Sequence, residues 1–271
     1  MPHHRLALLA APLVLLAACS SGGSTSAGAS ATTSSTPATT GSHWTYDGED
    51  GPSHWSDLDP DYAACSDSPH QSPIDLPATV PATPLAGVVT VVDGDASGPV
   101  ADSGHALQFS ADSSSESLTY DGVAYDLVQF HAHTPSEHTI DGVPARGEIH
   151  LVHQSADGAH TLVLAVLVQE GESSPVWSDF TAASDVVDEG DRAAMTLRVS
   201  SLLPADHSAY AYRGSLTTPP CTEDVQWIVF ATPVTMTAAE LDDLRDVHGA
   251  NARQVADLGD RTVSGTTVSV G

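Results

Sequence analysis

Two short segments, QFHAH from Gln129 to His133 and EIHLVH from Glu148 to His153, carry the residues whose types and spacing could do chemistry. In an extended strand alternate side chains share a face. Gln129, His131 and His133 therefore point one way, and Glu148, His150 and Val152 share a face of the second segment. If the two strands pair antiparallel, His131, His133 and His150 converge. Three neutral imidazoles suit Zn2+ in a tetrahedral site whose fourth position is left to water, which is the catalytic rather than the closed structural arrangement. A ligating imidazole also needs its second nitrogen held by an acceptor. Gln129 and Glu148, each two residues before a candidate ligand on the same face, fit that role. The alternative, a polar strand face with histidines turned to solvent, leaves those flanking acceptors unexplained.

A second candidate stretch is GSLTTPPC, Gly214 to Cys221, where Pro219 and Pro220 rule out a regular helix and Thr217 and Thr218 offer hydroxyls. A hydroxide on a metal needs a neighbour that accepts its hydrogen bond and aims a lone pair at substrate. A threonine hydroxyl does this only when its own proton is donated elsewhere, and Glu137, in PSEHT, is the available carboxylate.

The elements that must position these residues read mostly as strands. Val88 to Val92, Leu107 to Ser110, Ser117 to Tyr120, Val123 to Phe130, Thr161 to Gln169 and Trp227 to Phe230 have the composition of strands, with Asp121-Gly122 as a turn. Helix signals are fewer. Ser174-Pro175 opens a segment running towards Ala183 with Ser174 as its N-cap, and Thr237 to Glu240 forms a capping box before a helix to about Val247. His43 to Trp55 reads as irregular chain packed down by Trp44, Tyr46 and Trp55. The chain shows no internal repeat, and the expected class is a mainly β (α+β) domain on a large sheet.

Composition narrows the function class. Of 271 residues 35 are acidic and 8 basic, all eight being arginine, for a formal charge of −27. That charge opposes nucleic acid and anionic lipid as electrostatic partners. It fits either a saline habitat or an acidic exported protein. Arg5 followed by an apolar run from Leu6 to Ala18 reads as a secretory leader, and Leu16-Ala17-Ala18-Cys19 as a lipoprotein signal with lipid on Cys19. An ordinary leader with an incidental Cys19 is the alternative. Ser20 to Ser42, almost wholly Ser, Thr, Gly and Ala, would be flexible chain with a root-mean-square reach of roughly 25 Å. The expected division is a leader over 1–18, a lipidated cysteine and linker over 19–42, and a domain over 43–271. Such a protein would be exported and anchored on the extracytoplasmic side, touching membrane only through Cys19. Cys65 and Cys221 are left as disulfide candidates, two unpaired thiols being the alternative.

The segments GPSHW, QSPIDL, SGHALQF, VQFHAHTPSEHTIDG, EIHLVH and GSLTTPPC, in that order, resemble the α-class carbonic anhydrases through most of His43 to Val263. The resemblance implies a large twisted, mostly antiparallel sheet of about ten strands with short peripheral helices. It implies zinc-dependent reversible hydration of carbon dioxide to bicarbonate and a proton by hydroxide on the metal. His131, His133 and His150 match the zinc ligands, Gln129 and Glu148 their supports, Thr217 the orienting hydroxyl and Glu137 its acceptor. His105, in SGHAL, matches the proton-shuttle histidine. Tyr46 and Gln108 match polar positions that order pocket water, and Thr218 a residue lining substrate. Val152, Val163, Leu216, Val225 and Trp227 match the apolar wall where carbon dioxide rests.

Three departures from the family pattern stand out: Thr134 where tryptophan is common, Arg213 where proline is common, and a tail, NARQVADLGDRTV, without the family's prolines. The first implies looser packing behind His133, the last a less defined tail. A non-catalytic binding module and a metal-dependent esterase are the competing functions.

Overall fold

Within Thr161–Glu170, every position from Leu162 to Val168 is apolar because both faces of the strand are covered, and the sheet is layered around it. Leu162, Leu164, Val166 and Val168 enter one core; Val163, Ala165 and Leu167 enter another on the opposite face. The computed structural model describes residues 43–85, 87–187 and 191–271. The leader, Cys19 and linker lie outside the described residues.

Nine strands form the main path of the sheet: β1 (Asp95–Asp102), β2 (Leu107–Ser110), β3 (Val123–His133), β4 (Gly147–Ser155), β5 (Thr161–Glu170), β6 (Ala193–Arg198), β7 (Ser208–Ser215), β8 (Glu223–Phe230) and β9 (Ser264–Thr267). Their spatial order is β6-β1-β2-β3-β4-β5-β8-β7-β9, and shorter strands pairing off this path bring the sheet to 14. Most neighbours are antiparallel. β5 and β8 are parallel, so the sheet is mixed. This agrees with the expected mainly β class, and the expected count of about ten strands is close to the nine of the long path rather than to the full 14.

A β-bulge decides which way the histidines face. The β3–β4 register pairs Val152 with Gln129 and His153 with Leu127, so Val128 is the extra residue. Before it the odd-numbered Tyr125 and Leu127 enter the core; after it the even-numbered Phe130 and Ala132 do. The bulge thereby turns Gln129, His131 and His133 to the opposite face.

Two helices flank the sheet. In α1 (Pro175–Ala182) Trp177 and Phe180 pack against Phe130, with ring centroids 6.5 and 4.9 Å away. Ser174 is at its N-cap position, but its side chain makes no capping bond, contrary to expectation. In α2 (Ala238–His248) the capping box is complete: Thr237 accepts from the Glu240 backbone and Glu240 from the Thr237 backbone. Leu241 and Leu244 face the core. No helix among the described residues is long and apolar enough to cross a membrane.

Candidate metal centre and active site

Antiparallel pairing of β3 and β4 sets His131 opposite His150 and His133 opposite Glu148. The three imidazoles meet as the alternation predicts, with ring centroids 4.9, 5.2 and 4.6 Å apart. One nitrogen from each lies within 4.8 Å of the others, a spacing that could hold a metal ion. The second nitrogen of each ring is engaged. His131 Nδ1 is 2.8 Å from Gln129 Oε1, His133 Nδ1 2.7 Å from the Asn251 carbonyl, and His150 Nε2 2.9 Å from Glu148 Oε1. These acceptors fix the tautomers and leave one ring nitrogen of each histidine for a ligand. His133 Nε2 is buried and has no hydrogen-bond partner among the described residues, as a nitrogen reserved for a metal would be. Burial, then the neighbouring imidazoles, push the His131 pKa well below its ordinary value; burial dominates at His133 as well. Both rings are therefore neutral, the form that ligates.

Glu148 is the hub behind the centre. One of its oxygens accepts from the backbone N–H groups of Glu137 and His138 at 2.9 and 2.8 Å; the other lies 2.6 Å from His138 Nδ1 and 2.9 Å from His150 Nε2. Burial opposes its ionisation, but His138 and His150 outweigh that and hold its pKa well below the usual carboxylate range. His138 Nε2 in turn lies 2.7 Å from the Tyr212 hydroxyl, which reaches Ser72 Oγ at 2.9 Å. Sequence reasoning missed His138, Tyr212, Ser72 and Asn251 as members of this site. His138 directly follows Glu137 in PSEHT, a signal that was there to find. The others come from distant strands and loops.

A cleft of about 210 Å³ is lined by Trp44, Tyr46, Ser103, His105, Ala106, Gln108, Gln129, His131, His133 and Thr218. Burial, then the charge of Glu137, raises the Tyr46 pKa far above its ordinary value and keeps the phenol neutral. The His105 ring stacks on Trp44 at 3.6 Å with an interplanar angle of 11°. Its pKa is lowered, first by burial and then by His248 and His43, with Asp102 opposing. Val163, Val225 and Trp227 belong to one apolar cluster, with the partly buried Val152 and Leu216 packed against it.

Thr217 and Glu137 are both buried. Glu137 Oε1 accepts from the Arg253 backbone at 2.9 Å, while Oε2 lies 3.7 Å from His133 Nε2 and 3.9 Å from His150 Nδ1. Glu137 Oε2 has no hydrogen-bond partner among the described residues, so the expected Thr217 contact is not formed in this arrangement.

The departures in sequence do not loosen the site. Thr134 is buried, its backbone N–H donating to Asn251 Oδ1 at 2.8 Å. Arg213 is exposed and reaches the Asp224 carbonyl. In the tail, Arg253 donates to Gln71, Ser72 and Cys65 at 2.9 Å each, and stands 5.5 Å over the Trp55 ring. Packing there is defined by buried polar groups in place of prolines. Cys65 and Cys221 form a disulfide.

The eukaryotic-type carbonic anhydrase family matches residues 50–266. A protein named carbonic anhydrase from Pectobacterium carotovorum is 35% identical over 231 residues, covering 83% of this chain and 92% of the relative. The α-carbonic anhydrase of Thermovibrio ammonificans, solved with the inhibitor sulfanilamide, superposes with a TM-score of 0.74 at 37% identity, covering 83% of this chain and 99% of that one. Dioscorin DB3L of Dioscorea polystachya is 31% identical and covers 74% of this chain and 76% of its own length, so the similarity extends to proteins named otherwise. With the match spanning most of the folded domain, this chain belongs to the eukaryotic-type, or α-class, carbonic anhydrase family.

Proposed function

We propose that this protein catalyses the reversible hydration of carbon dioxide to bicarbonate and a proton, with Zn2+ held by His131, His133 and His150. The observation that carries this reading is the convergence of three imidazole nitrogens, each on a ring whose other nitrogen is held by a separate acceptor. What the ion supplies when bound is Lewis acidity that makes hydroxide available at neutral pH; carbonic anhydrases are themselves the standard example, with a bound-water pKa of about 7.

The chain's own residues do the rest. Val152, Val163, Leu216, Val225 and Trp227 share one apolar cluster, which would form the wall against which a small linear substrate rests. Thr217 would orient the attacking oxygen by accepting its hydrogen bond, which requires its own proton to be donated to Glu137, a contact not formed in this arrangement. Thr218 lines the cleft together with His131 and His133, a place from which it would contact substrate. Neutral Tyr46, with Gln108, orders water between the centre and His105. His105, whose lowered pKa leaves it neutral at pH 7, can take a proton and pass it to buffer.

A purely binding role is disfavoured by the complete set of convergent imidazoles. Comparing metal-free with zinc-restored protein tests the reading. Zinc should restore carbon dioxide hydration far above any ester hydrolysis. Zinc binding without recovered hydration would sink the catalytic reading, and ester hydrolysis alone would favour an esterase.

We also propose that the protein is exported and held at the membrane by lipid on Cys19. The apolar run into Leu16-Ala17-Ala18-Cys19 and the Ser/Thr/Gly/Ala stretch after it support this reading.

A further inference from the structure

His105 sits in the turn between β1 and β2, and its place over the cleft depends on how that turn is held. Within the turn, Asp102 Oδ1 accepts from the Gly104 N–H at 2.6 Å, and the Ser103 and Ala106 backbones and the Ser103 hydroxyl bond one another. Gly104 has φ +86, and a Cβ built there would meet nothing within 4 Å, so the tip stands clear of the protein. Among the described residues, two side-chain hydrogen bonds tie the turn to the rest of the fold. Asn251 Nδ2 donates to the His105 carbonyl at 3.1 Å, and His248 Nε2 lies 2.6 Å from Asp102 Oδ1. A carboxylate oxygen accepts, so Nε2 carries the hydrogen.

We propose that His248, at the end of α2, is a positioning residue for proton transfer: by holding Asp102 it fixes the turn that presents His105 to the cleft. This rests on His105 being the shuttle. The Asp102 oxygen that His248 grips is the same one that closes the turn on Gly104, so the contact bears directly on turn geometry. Both side chains are half-buried, at 15% and 24% exposure, so the pair is only partly open to water. His248 also occupies the last turn of α2, where the helix dipole favours a donor. Transfer through ordered water requires the imidazole within hydrogen-bond reach of that water, so a shift of about 1 Å in the turn is costly. Stacking on Trp44 fixes the plane of the ring, while the backbone beneath it is set by these two anchors.

The test uses the zinc-loaded full chain and its His105→Ala, His248→Ala and His248→Gln variants. For each, kcat and kcat/KM for carbon dioxide hydration are measured in weak buffer, with and without added imidazole. His248→Ala should lower kcat in weak buffer by about tenfold, leave kcat/KM and zinc content unchanged, and recover with imidazole. His248→Gln, which keeps an N–H donor, should retain most of the rate. If His105→Ala slows turnover in weak buffer and His248→Ala does not, the positioning role is overturned while the shuttle stands. If His105→Ala has no effect, both fall. His248→Gln as slow as His248→Ala overturns positioning in favour of proton chemistry on the ring itself. A parallel loss of kcat and kcat/KM in His248→Ala overturns it in favour of general damage to the site.

Discussion

The Asn251 carbonyl accepts the Nδ1 hydrogen of His133 at 2.7 Å, so a residue just beyond α2 fixes the tautomer of a histidine on β3. The Asn251 side chain extends the tie. Its Oδ1 accepts from the Thr134 N–H, and its Nδ2 donates to the carbonyls of Ala132 and His105 at 3.0 and 3.1 Å. One residue thus joins the metal-facing strand to the turn carrying His105.

Asn251→Ala should keep the carbonyl contact but leave the buried Thr134 N–H without its acceptor. We expect a loss of about 3 kcal/mol in denaturant unfolding and about tenfold weaker zinc binding in competition titrations. Unchanged stability and affinity would show that the neighbouring backbone holds His133 without it.

The disulfide closes a loop spanning 156 residues in sequence and joins the Thr217–Thr218 segment to the N-terminal part of the domain. Chain-entropy arguments give an upper figure of about 5 kcal/mol for such a loop. Reduced protein, or the Cys65→Ser variant, should unfold at clearly lower denaturant concentration. Coincident oxidised and reduced curves would refute the contribution.

The centre was more legible in the sequence than the sheet that carries it. Strand alternation is local, so QFHAH and EIHLVH announced their shared faces, and TAAE announced the start of α2. Asp121-Gly122 was likewise legible as a turn, with φ 51 and 77. β1, β6, β7 and β9 were missed. In β1 the sequence DASGPVAD has Gly98 and Pro99 in mid-strand, yet a Cβ on Gly98 would collide with the Ser110 carbonyl oxygen, so close backbone approach selects glycine there. The missed members of the site other than His138 share one cause. Asn251, Tyr212 and Ser72 reach it across sequence separations of a hundred residues or more, or across strands with no local pattern. The Thr217–Glu137 contact is absent: one Glu137 oxygen accepts from the Arg253 backbone, and the other lies 3.7 and 3.9 Å from nitrogens of His133 and His150.

Burial opposes ionisation of Glu240, but hydrogen bonds from Ser178 and Thr237 outweigh it and hold its pKa below the usual value. A depressed carboxylate contributes stability that is fully present above its unfolded pKa of about 4.3 and is lost as pH falls through the folded value. Glu240→Gln should therefore be less stable than wild type at pH 7, with the gap closing below about pH 4. A gap that stays constant from pH 7 to pH 3 in denaturant titrations would contradict this.

Membrane attachment is tested by fractionating cells that make wild-type protein and Cys19→Ser. Wild type should sediment with membranes and the variant should be released with its specific activity intact. A single acyl chain binds only weakly, so mass spectrometry should find more than one on Cys19. Wild-type protein recovered in the soluble fraction would defeat the anchor.

The most direct test of the account is zinc content and carbon dioxide hydration measured together in wild type and His133→Ala. The buried Nε2 of His133 has no hydrogen-bond partner among the described residues, and metal ligation is the role the account gives it. Wild type should hold about one zinc per chain and hydrate carbon dioxide, while His133→Ala should lose both yet remain folded by circular dichroism. Full zinc content with undiminished hydration in His133→Ala would contradict the three-histidine centre.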